Sequence, residues 1–151
     1  MENQSITNTP LVSALAVGAT DDDQVDLEEI FTNWGWKLHH VCTRREAQDF
    51  LDDNAVGVVI SKRELPEGGW REMLDDLQQR SEPPALVVTS RFADESLWAE
   101  VLNMGGYDVL AEPLDTEEVT RVVSAAARHF DSERQRRLPP LTRSLLLKAA
   151  S

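Results

Sequence analysis

Cysteine is almost absent from this chain. Cys42 is the only one, so no internal disulfide can form and burial must hold the fold together. That usage fits a reducing compartment, and a cytoplasmic location is the expectation. No apolar run approaches the ~18 residues a membrane helix needs, and Met1 to Pro10 lacks the basic flank and apolar segment of a secretory signal. Basic charge is scarce, with 15 Lys and Arg against 27 Asp and Glu and a net charge of −12. Five of the basic residues (Arg134, Arg136, Arg137, Arg143, Lys148) fall between Asp131 and Ser151 beside two acids, leaving the remainder at −15. A body this acidic repels phosphate backbones, which disfavours DNA binding by the main domain. Glycine-rich phosphate loops and nucleophile elbows are missing, so neither a nucleotide cofactor nor a catalytic residue is expected.

What is present is an alternation of short apolar runs with amphipathic stretches. Met1 to Pro10 reads as a loosely attached N-terminus, and strands are expected at Leu11–Gly18, Trp36–Val41, Val58–Ser61, Ala85–Ser90 and Tyr107–Ala111. Between them, Val25, Leu27, Ile30, Phe31 and Trp34 make a helical stripe that Gly35 stops. Thr43 caps a second helix, and Trp70, Met73, Leu74 and Leu77 share a face of a third. A fourth helix runs from Asp94 to Met104, and the last from Thr116 to Phe130. Five such alternations with short joints give an α/β, flavodoxin-like parallel sheet with helices on both faces, spanning residues 11–130. Residues 131–151 read as a basic tail in which Leu141 to Ala150 would form a short helix after Pro139 and Pro140.

Three pieces narrow this further: Leu65-Pro66-Glu67-Gly68-Gly69 after the third strand, Thr89-Ser90 closing the fourth, and Gly105 through Pro113 around the fifth. Together they resemble the receiver domains of two-component response regulators, the CheY-like fold, with strand order 2-1-3-4-5. The resemblance implies a phosphoacceptor aspartate four residues before Pro66, a magnesium-binding acid pair after the first strand, a lysine before Pro113 and an aromatic switch residue. Those positions hold Lys62, Ala19 with Thr20, Glu112 and Val109, and Thr89 alone matches. A slip of one or two residues would bring Asp21 and Asp22 into the acid-pair position.

Lysine cannot form an aspartyl phosphate, and its ammonium repels Mg²⁺, so the expectation is a degenerate receiver without phosphotransfer, enzymatic activity or bound metal. Exchanging an acid for a lysine and a lysine for an acid also predicts an ion pair between Lys62 and Glu112, with Asp21 or Asp22 joining it. In the alternative these groups are solvated turn residues without contact, and a further option makes Lys62 a desolvated catalyst beside Ser61. Two other readings stay open: a receiver still phosphorylated or binding Mg²⁺ through the shifted acidic cluster, and a DNA-associated regulator acting through the basic tail.

The resemblance implies action by protein–protein contact, with a histidine kinase or effector or by self-association. In receivers the docking surface is formed by the fourth helix, fifth strand and fifth helix, which makes Trp98, Val101 and Tyr107 the candidate interface residues. His39, His40 and Cys42 share the second strand, but alternation puts His39 opposite the other two, too few ligands for zinc.

Overall fold

The computed structural model describes residues 12–138. Five parallel strands, β1 (Ser13–Val17), β2 (Lys37–Val41), β3 (Val58–Lys62), β4 (Ala85–Ser90) and β5 (Asp108–Ala111), form one sheet in the order β2-β1-β3-β4-β5. The helices are α1 (Asp21–Trp34), α2 (Arg44–Asp53), α3 (Trp70–Gln78), α4 (Glu95–Met104) and α5 (Thr116–Arg137). Strand alternation divides the core in two. Ala14, Ala16, Val58 and Ile60 face α1 and α5, and Leu15, Val17 and Val59 face α2, α3 and α4. The central strands are buried on both faces, which is why they read as unbroken apolar runs.

Local chemistry fixes the helix ends. Thr20 caps α1 by accepting from the Asp23 amide at 3.2 Å, and Thr43 and Glu46 cap α2 reciprocally. Gly35 and Gly105 close α1 and α4 in the left-handed conformation. Among the described residues no helix is long and apolar enough to cross a membrane.

Several expectations shift. The third strand reaches Lys62, and the turn after it contains a two-residue antiparallel ladder, Glu64–Leu65 with Gly68–Gly69. Val25 leaves the expected stripe of α1 and is 66% exposed, because it lies about 200° around the helix from Leu27. Helix α5 does not stop at Phe130 but continues through Arg137. No breaker occurs before Pro139, the pairs Asp131–Arg134 and Glu133–Arg136 sit one turn apart, and three arginines meet the carboxyl end of the helix dipole. The short helix expected over Leu141 to Ala150, like the loose N-terminus at 1–10, lies outside the described residues.

Two glycines test how tightly α4 is joined to β5. A Cβ on Gly106 would stand 2.5 Å from Val101 Cγ1 and 3.1 Å from the Val101 carbonyl oxygen, which already accepts from the Gly106 amide. Gly106→Ala should therefore cost about 1–3 kcal/mol in urea denaturation through displacement of α4. Gly35→Ala meets nothing within 4 Å, yet its φ of +71° should cost about 1 kcal/mol.

Candidate functional site

Parallel strands end on one rim, and here β3 delivers Lys62 while the residue after β5 is Glu112. Register sets Lys62 beside Thr89 and Ala111 beside Ser90. At the end of β1, Gly18 has φ +74°, and a Cβ there would lie 2.6 Å from Leu65 Cδ2 and 3.5 Å from Lys62 Cγ. The lysine stem thus crosses space that a side chain after β1 would need.

Lys62 Nζ donates to both oxygens of Glu112, at 3.0 Å and 2.8 Å. The Glu112 side chain is only 6% exposed and that of Lys62 23%, so the acid is the buried member of the pair. Burial by itself would raise the Glu112 pKa. Hydrogen bonds from Asp23 and Lys62, the lysine charge and the Thr89 hydroxyl outweigh it and hold the carboxyl below its ordinary value.

Asp23 is the third member. It sits in the first turn of α1, is 7% exposed, and its carboxyl is pushed up to about 6 by burial and by the hydrogen bond and charge of Glu112, against the opposing pull of Lys62 and Thr20. The two shifts describe one arrangement: Asp23 holds a proton that Glu112 accepts, and Glu112 stays ionised against Lys62. The cluster borders an open cavity of about 760 Å³ whose wall includes Asp22, Asp26 and Arg91.

Lys62, Glu112 and Thr89 therefore converge, as the charge swap suggested, and the solvated-turn alternative does not describe them. The acid expected to join them was Asp21 or Asp22. Asp21 and Asp22 are both exposed, Asp22 at the cavity rim, while Asp23 points inward. The missed signal was spacing: Asp23, Leu27, Ile30 and Phe31 fall on one face of α1, so Asp23 continues the buried stripe where Val25 leaves it. Ala19 is half-buried and Thr20 serves as a helix cap, so neither stands as an acid-pair equivalent.

Ser61 is fully buried and donates to the Lys62 carbonyl at 2.9 Å, with no place for a substrate beside it. Lys62 is engaged by Glu112, which removes the desolvated free amine a catalyst would need. Among the described residues no group of three His, Cys, Asp or Glu is arranged to hold a metal. His39 packs on Phe50 at 4.8 Å, whereas His40 turns toward Glu28 on α1, so the two do not converge.

At the switch position, Val109 is buried under α4. Of the interface candidates, Trp98 is 49% exposed and its indole N–H donates to Asp108 at 3.1 Å. Val101 is fully buried, one helical step too far inward to meet a partner, and Tyr107 is half-buried against His129 at 5.3 Å.

No protein-family model matches the chain. Two curated proteins do: the DNA-binding transcriptional regulator NtrC of Klebsiella pneumoniae, 23% identical over 115 residues (76% of this chain, 24% of that protein), and the response regulator protein PilR of Pseudomonas aeruginosa, 23% identical over 111 residues (71% and 25%). The chain thus spans about a quarter of the length of these relatives. Solved structures agree in fold. The signal receiver domain of an HD domain-containing protein from Pseudomonas fluorescens has a TM-score of 0.71 at 22% identity (82% of this chain, 99% of that one), and the chemotaxis response regulator CheY4 of Vibrio cholerae 0.69 at 15% (78% and 99%). The receiver domain of the Saccharomyces cerevisiae response regulator Ssk1, crystallised with the histidine phosphotransfer protein Ypd1, is represented at 0.68 and 14% (79% and 90%). The chain carries the receiver-domain fold of two-component response regulators.

Proposed function

We propose that this chain is a degenerate receiver that signals by protein–protein contact, without enzymatic activity and without taking a phosphoryl group. The carrying observation is the two-pronged contact from Lys62 to Glu112 at the place where the fold would hold an acceptor carboxylate. An ammonium bound to a carboxylate offers no acyl oxygen for an aspartyl phosphate, and it repels the cation that would steady the incoming phosphoryl group. The pair takes over the positioning role, tying β3 to the junction before α5. Its partner is a signalling protein such as a histidine kinase or phosphotransfer protein, or a second copy of the chain. The half-exposed Trp98, fixed by Asp108, is the anchor of that contact.

Incubation with Mg²⁺ and acetyl phosphate should leave the intact mass unchanged; a base-labile phosphoryl adduct would overturn the reading. Lys62→Met strands a buried carboxylate and should cost about 2–4 kcal/mol, the lower bound reflecting the partly exposed lysine head. Adding Glu112→Leu should recover part of that loss in a double-mutant cycle. Trp98→Ala should leave the denaturation midpoint within error yet weaken self-association or binding to a cognate phosphotransfer protein by about tenfold or more, measured by sedimentation velocity. Unchanged sedimentation in both mixtures would remove Trp98 from the interface.

A further inference from the structure

The residues that clamp the rim of the sheet include one group whose charge is not fixed. Asp23 belongs to α1, Lys62 to β3 and Glu112 to the junction between β5 and α5, so the cluster joins three parts of the fold that are distant in sequence. Asp23 also sits where α1 begins. Its amide donates to Thr20 Oγ1, and the next amide, of Gln24, donates to the Thr20 carbonyl at 2.8 Å. Movement of the Asp23 side chain therefore pulls directly on the cap of α1.

We infer that Asp23, Glu112 and Lys62 form a proton-operated latch: with a proton, the Asp23 carboxyl donates to Glu112 and holds the first turn of α1 against the β5–α5 junction, and without it that turn loosens. Protonated, the cluster holds one positive and one negative charge and is neutral. Ionised, two carboxylates share one ammonium in a largely buried place. The ammonium already gives its closest contacts to Glu112, so Asp23 has no strong partner to turn to.

The surroundings do not reverse this. On α1 itself the nearest charges are Asp22 and Asp26, both negative. Lys62 of β3 attracts an ionised Asp23, as do the amino end of the α1 dipole and Arg91 from the β4–α4 loop, itself exposed. Glu112 opposes it, and Thr20 and Thr89 are neutral. Burial and Glu112 together prevail, consistent with the upward displacement to about 6.

Linkage gives the sign. Because Asp23 holds its proton more tightly folded than unfolded, it makes stability fall as pH rises from its ordinary 3.8 through about 6. Glu112 acts oppositely, with a contribution present above its ordinary 4.5 and lost as pH falls through its lowered value.

This deepens the degenerate-receiver reading by naming what operates its pocket, and its test does not involve phosphate. Carboxyl-carbon NMR of Asp23 and amide hydrogen exchange of α1 are followed from about pH 4.5 to about pH 7.5 in the full chain. Asp23 should titrate with a midpoint within about one unit of 6, and protection factors of Asp23 and Gln24 should fall at least about fivefold across it. Asp23→Asn should keep that protection constant with pH, and Glu112→Gln should move the Asp23 midpoint down toward 3.8. An Asp23 that titrates near its ordinary value, or a loss of protection identical in Asp23→Asn, would overturn the latch even if the chain resists phosphorylation. A phosphorylated chain that still shows the transition would overturn the degenerate reading and leave the latch standing.

Discussion

The rim of this sheet depends on one buried carboxylate. Glu112 is nearly inaccessible to water, and an ionised acid in that position is tolerable only because Lys62 reaches across from β3 with two short contacts. The choice of glycine at position 18 follows from the same constraint, since the lysine stem and Leu65 occupy the volume beside it. The placement of Asp23 does too. Its proton completes the hydrogen bonding of Glu112 from the side that Lys62 leaves open.

That constraint changes what a receiver-like scaffold can do. The fold brings the ends of β1, β3 and β5 together whatever residues are there, because parallel pairing places all their carboxyl ends on one rim. In this chain the rim carries a closed set of charges that satisfy one another, and no loose nucleophile. The groups free to act on the outside world are displaced to the periphery: the acids and Arg91 around the cavity, and Trp98 on α4. A scaffold so arranged transmits by contact and by small shifts between packed elements.

The fold was legible because each element carried its own period. The doubly buried strands appeared as apolar runs bounded by glycine and proline, and the face of α3 showed in Trp70, Met73, Leu74 and Leu77, all of them buried. The carboxyl end of α5 was misjudged because a change of composition at Asp131 resembled a boundary, whereas a helix ends where capping or backbone geometry ends it. Val101 was misplaced for a related reason. An apolar residue on a surface helix does not announce whether it meets the sheet or a partner, and one helical step separates it from the half-exposed Trp98.

The sequence by itself determined the order of elements, the class of sheet and the presence of opposite charges at Lys62 and Glu112, because these depend on periodicity, breakers and position along the chain. It did not determine which of three adjacent aspartates would enter the pocket. That choice rests on how far α1 is rotated, and the packing of Leu27, Ile30 and Phe31 against the sheet fixes the rotation. Nor could it give the ionisation of Asp23, since a carboxyl's proton affinity is set by the water removed from it and by the charges folded against it. Those quantities exist only once residues 23, 62 and 112 have been brought to the same corner of the fold.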